Sequence, residues 1–279
     1  MNKLLTRFEC ALENYVLSDI NIIWFRRCVY TLLLLKMVAI WPELPMFYRH
    51  IVSMGKGSLL PQELMFMPIF HDHYTICWIV ASCIVTLGIV CKSRVWLSVM
   101  VFVVSLNYLM LAYKAINFGD MLLNFLVLML IFMREGAKKF SVRQMITNAA
   151  VLIVQLHFCI LYFVNAYGKI ELSFWRDGTF FNDIWQLSYY ANPHLPAWFH
   201  SPSLNFLTAW SVMIFEFLFP VLIWFKRFKK PLLIIGLLFH FAIAVMLSLP
   251  DFGLTMAVVY ILFFDFKQNR RSKSIATTI

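Results

Sequence analysis

The residue in this chain best placed to do chemistry is a lysine that closes an apolar helix. Lys169 ends the run QLHFCILYFVNAYGKIE, behind His157 and Tyr162, and reads as part of a small-residue turn; Trp175 and Gly178 follow in FWRDG. In a low-dielectric recess a lysine gives up its proton more readily than in water and can serve as a base. Lys114, Asn117, Gly119, Asp120 and Asn124 gather at a second turn expected to open on the same side. Asp120 and Lys114 could therefore attend Lys169 in acid–base work. The plainer reading stands beside it. Asp120 would cap the following helix, where free N–H groups and the dipole favour a carboxylate, and a lysine at a helix mouth can simply anchor at lipid headgroups.

A second constellation lies deeper. Counting rise along each apolar run puts His157 about 16 Å from the cytoplasmic end of its run, Glu216 about 18 Å from the outer end and His240 about 14 Å from the inner end, all close to mid-membrane. An unpaired carboxylate there is costly, so Glu216 must be protonated or paired, and a histidine is the expected partner. Pro220, one turn on, frees a backbone carbonyl at the same level. The trio could relay protons, hold a redox substrate such as a quinol, or bind iron through two histidines and a carboxylate. It could equally be a polar cluster that locks three helices together. Arg26 and Arg27 begin the first run, and one of an adjacent pair must face protein. Lys36, near the far end of that run, is expected to snorkel to the interface. His71-Asp72-His73 reads as a surface triplet.

These residues need helices to position them, and the composition says which kind. Apolar residues make up 62% of the chain and charged ones 14%, with mean hydropathy +0.77, too few polar residues to clothe a soluble core. Crossing about 30 Å takes roughly 20 residues. Eight runs approach that length: 21–41, 74–91, 95–113, 118–133, 146–168, 204–225, 231–249 and 252–266. They are continuous rather than alternating, which excludes a barrel. The expected fold is an all-α polytopic membrane protein, a bundle of about eight transmembrane helices. A leader (1–20) precedes the membrane domain (21–266), and a basic tail (267–279) follows it. No cleavable signal peptide is evident.

Basic residues alternate between connections. Lys3 and Arg7; Lys92 and Arg94; Arg134, Lys138, Lys139 and Arg143; Lys226, Arg227, Lys229 and Lys230; and Lys267, Arg270, Arg271 and Lys273 fall on one side. That asymmetry places both termini in the cytoplasm. The net charge of +10 is thus a topology signal with an attraction to anionic lipid, not a nucleic-acid footprint. The outer connections at about 42–73 and 169–203 are long, and are expected to form short interfacial helices. Cysteines sit mainly within the runs and form no Cys-x-x-Cys, so they read as small apolar residues.

The segment YFVNAYGKIELSFWRDGTFF resembles the signature of the horizontally transferred transmembrane (HTTM) domain family, shared with vitamin K-dependent gamma-glutamyl carboxylases. IIWFRRCVYTLLLL, KGSLLP, INFGDMLLNFLVLMLIF, FEFLFPVLIW and GLLFHFAIAVMLSLPDFGLTM follow the family order over roughly residues 20–266. The resemblance implies that Lys169 is a base that starts oxygenation of a hydroquinone. It further implies that Tyr162, Trp175 and Arg26 face that cofactor, a quinol. Two departures are visible. The carboxylases have Asn-Asn-His where this chain has Phe118-Gly119-Asp120, and they carry a large extra-membrane domain. In size the chain is similar to bacterial sporulation-delaying-protein B-like members. That similarity implies a plasma-membrane protein acting with companion proteins in the maturation or export of a small secreted peptide. The alternative is a quinol-dependent enzyme with Lys169 as base. A third class is a purely structural or immunity protein.

Overall fold

The computed structural model describes residues 18–46, 73–111, 117–137, 141–187 and 196–264. Among these residues the chain is all-helical, with no strand. The helices are α1 (Asp19–Ala39), α2 (Tyr74–Val90), α3 (Val95–Leu111), α4 (Phe118–Met129) and α5 (Val142–Glu171). The short α6 (Ser173–Arg176) and α7 (Thr179–Gln186) precede α8 (Pro202–Leu222), α9 (Lys226–Met246) and α10 (Pro250–Val259).

Among the described residues three helices, α5, α8 and α9, are long and apolar enough to cross a membrane, at 30, 21 and 21 residues. α1 is as long but carries Arg26, Arg27 and Lys36. Each of the eight expected runs does hold a helix, yet four are shorter than about 20 residues. α2 and α3 have 17, α4 has 12 and α10 has 10. The reason is local in α4. An Asn117/Asp120 capping box fixes its start. Past Met129 the backbone tightens to three-residue bonds, Ile131 N–H to Leu128 and Phe132 N–H to Met129.

The chain divides into two compact units, residues 1–151 with 265–279, and residues 152–264. In the first, α1 packs on α2 and α4, and α3 lies against both α2 and α4. Close approach of α1 to α2 needs Gly88, where a Cβ would come 2.9 Å from the Tyr30 ring. The indole of Trp78 donates to the Met37 carbonyl at 3.1 Å. In the second unit α9 and α10 form the tightest pair. They turn sharply at Ser248, whose φ is 51°. Small residues then let the backbones meet. A Cβ on Gly253 would lie 2.6 Å from the His240 carbonyl oxygen, and one on Gly236 would overlap the Tyr260 hydroxyl.

The outward faces are apolar. On α9, Ile234, Ile235, Leu238, Phe241 and Val245 are exposed while Leu232, Leu233, Gly236 and His240 are buried. A water-facing bundle would carry polar side chains on that outer face, and oil has no need of them. α5 runs to Glu171, so Lys169 stands inside the last helical turn, not in the expected small-residue turn. Gly168 meets nothing that would prevent a helix there. Of the expected outer connections, 47–72 lies outside the described residues, as do His71, Asp72, both termini and Lys114. The second connection contains α6, α7 and a 3-10 turn at Ala197–His200.

Candidate functional site

α5 builds the site by its periodicity. Val151, Val154, Gln155, Phe158, Tyr162 and Ala166 are buried, while Ile153, Leu156, Ile160, Phe163, Val164 and Tyr167 are exposed. Extending the inner stripe by three residues reaches Lys169. On α8 the inner stripe is Asn205, Ala209, Val212, Met213, Glu216 and Phe219. The two stripes bring one cation to one anion. The Lys169 amine donates to both carboxylate oxygens of Glu216, at 2.5 and 2.6 Å. The Lys169 side chain is 20% exposed and that of Glu216 6%. This corrects the expectation that a histidine partners Glu216. A long lysine at the end of α5 fills the carboxylate's bonding capacity in two directions, which a histidine ring cannot do from one nitrogen.

A third side of the amine is aromatic. Lys169 Nζ sits 4.8 Å from the Trp175 ring centroid, a cation–π contact strengthened by burial. Trp175 is held by stacking on Phe180 (4.1 Å, 18°) and by an edge contact with Phe181. The α6–α7 hairpin that carries it is pinned to α8. Trp210 donates to the Arg176 carbonyl, Trp185 to Asn205 at 3.1 Å, and Asn205 to Asn182. Gly178 caps α7 at φ 80°, and a Cβ there would come 2.6 Å from the Phe206 backbone. Both its conformation and its surroundings require glycine. Beside it, the Thr179 backbone N–H and hydroxyl hold the Asp177 carboxyl below the usual carboxylate range.

Two turns back along α5, about 10 Å by helical rise, a second polar group is sealed in rings. The Tyr162 hydroxyl meets His240 Nε2 at 2.5 Å and the Tyr260 hydroxyl at 2.6 Å. Phe158, Phe215 and Phe219 pack around Tyr162. All three polar side chains are 1% exposed. His240 Nδ1 is buried without a hydrogen-bond partner among the described residues. In either tautomer that nitrogen lacks a partner among the described residues, which carries a desolvation cost. His157 is half-buried, between exposed Leu156 and buried Phe158. It is five residues from Tyr162, about 140° around the helix. Within the trio His157, Glu216 and His240, Glu216 is bonded to Lys169 and His240 to Tyr162. The described residues contain no group of three His, Cys, Asp or Glu able to hold a metal ion.

The remaining candidates fall in the first unit. Asp120 takes Lys36, not Lys169, as its ion-pair partner, at 2.6 Å. It also accepts from the Asn117 backbone at 2.8 Å and from Tyr108 at 3.4 Å. Lys36 does not snorkel, because a buried carboxylate lies within its reach. Of the arginine pair, Arg26 turns inward, donating to the Gly88 carbonyl and lying 3.6 Å from Glu135. Arg27 turns out over Trp24. Sequence reasoning missed Tyr260 and Glu135. The signal for Tyr260 was a single hydroxyl in the run VVYILFF; Glu135 had none, since a carboxylate in a basic connection reads as surface.

No protein-family model, no curated protein and no solved structure matches this chain.

Proposed function

We propose that this chain is a multi-pass bacterial plasma-membrane enzyme of the HTTM type, with Lys169 as a base toward a quinol. The single observation that carries the reading is the Lys169–Glu216 pair, backed by Trp175. One proton moved from Nζ to a carboxylate oxygen converts the ion pair into a neutral amine beside a carboxylic acid. A poorly solvated setting lowers the cost of that exchange, because it removes two charges at once. The amine then accepts a proton from a quinol hydroxyl lying on the aromatic hairpin. The products are a quinolate and an ammonium. Dioxygen oxidises the quinolate to quinone and is itself reduced to hydrogen peroxide, taking both electrons and both protons of the quinol.

The test follows the oxidation of a reduced naphthoquinone by purified protein in air, read as quinone absorbance above the protein-free rate. Wild type should exceed the background, and K169R should fall to it while remaining folded. Full activity in K169R would remove the base role, since arginine does not deprotonate. The resemblance in ordered segments adds a physiological setting, maturation or export of a small secreted peptide with companion proteins. Loss of that peptide product in K169R cells is its readout.

The same reading includes eight spans with both termini in the cytoplasm, supported by the alternation of basic connections. In a background with all 6 cysteines replaced, an impermeant maleimide applied to spheroplasts should label Ser203→Cys but not Lys92→Cys. Labelling of both from outside would sink that topology.

A further inference from the structure

At the end of the first unit where the basic connections lie, the described residues line an open cavity of about 350 Å³. Its charged lining has two signs: Arg26, Arg27 and Lys92 against Asp19 and Glu135. Arg26 is 3% exposed, and its Nε has no hydrogen-bond partner among the described residues. The rest of the guanidinium donates to the Gly88 carbonyl and lies 3.6 Å from Glu135, so Nε is the donor left for a further acceptor. Ile23 and Val90, the latter 70% exposed, add an apolar collar to the cavity lining, and on the same two helices Ile20, Trp24 and Leu87 are exposed. A soluble ligand has no use for that collar, whereas acyl chains do.

We infer that this cavity binds the headgroup of an aminophospholipid, with its phosphate on Arg26, Arg27 and Lys92 and its ammonium on Asp19 and Glu135. Guanidinium forks suit phosphate oxygens, and basic pockets between membrane helices take lipid headgroups. The two carboxylates distinguish this site from one for a purely anionic lipid. They also favour a primary ammonium, which donates three hydrogen bonds, over a choline group, which donates none. The binding mode is independent of Lys169.

The test is thermal unfolding of the full chain in detergent with phosphatidylethanolamine, phosphatidylcholine, phosphatidylglycerol or soluble phosphoethanolamine added at equal concentration. Phosphatidylethanolamine should raise the midpoint by about 2–4 °C near saturation, and phosphatidylcholine by less than half of that. R27A/K92A changes two exposed side chains and should fold normally yet lose the shift. D19N should reduce the response to phosphatidylethanolamine and leave that to phosphatidylglycerol unchanged. K169R should respond as wild type does. Equal shifts with the ethanolamine and choline lipids would overturn the inference. So would an undiminished shift in R27A/K92A, or a soluble phosphoethanolamine effect as large as the lipid's.

Discussion

Replacing Lys169 by alanine should destabilise the protein by about 3 kcal/mol and abolish quinol oxidation. Breaking one partner out of a buried pair typically costs about 3–5 kcal/mol, because the other charge is left uncompensated. The low end applies here, since a fifth of the lysine side chain is exposed and water screens part of the charge. Glu216, at 6% exposure, bears the penalty. Three variants separate the contributions. K169R keeps the charge, the double contact with the carboxylate and the contact with Trp175, so it should unfold close to wild type. K169M/E216L removes both charges and should recover most of the stability that K169A loses. A positioned general base contributes about 10²–10⁴-fold to rate, so both K169A and K169R should lose at least that factor. Unfolding in detergent and quinone absorbance give the two readouts. If K169M/E216L were as unstable as K169A, the cost would lie in lost packing rather than in the orphaned carboxylate.

Asp120→Ala should be the most destabilising single change in the first unit, at about 4 kcal/mol. Two losses combine. The Lys36 ammonium, on a side chain 10% exposed, loses its carboxylate, and α4 loses half of its capping box. Caps alone contribute about 1 kcal/mol; the broken ion pair contributes the larger share. Asp120→Asn keeps an oxygen for the Asn117 backbone N–H and removes only the charge, so its loss should fall between wild type and alanine. Thermal unfolding of the two variants with K36M as reference decides the matter. An Asp120→Asn variant as stable as wild type would mean that the ion pair adds nothing net and the cap accounts for the residue.

The two sites were unequally legible. Lys169, Tyr162, Glu216, His240 and Trp175 all stood out as polar or aromatic residues in apolar surroundings, and the structure gathers them in the second unit. Their pairing did not follow from depth. Rise along a helix gives a level in the membrane but not an azimuth, so His157 and His240 looked equivalent at one level. Around α5 they differ: Tyr162 continues the buried stripe through Gln155 and Phe158, and His157 sits at its edge. Lys36 illustrates the same limit. A lysine near a helix end can reach water or a carboxylate, and only the packing of α1 on α4 supplies Asp120.

By itself the sequence determined the helical character of the chain, the positions of its apolar helices and the residues too polar to be left in oil without a role. Those properties depend on neighbours within a turn or two: hydropathy, caps and the 3.6-residue period. Tertiary structure decided the partners. Lys169 with Glu216, Tyr162 with His240 and Tyr260, and Arg26 with Gly88 and Glu135 are separated by 47 to 109 residues. Such pairs depend on which helix faces meet and on glycines small enough to let them meet, and no local pattern records that.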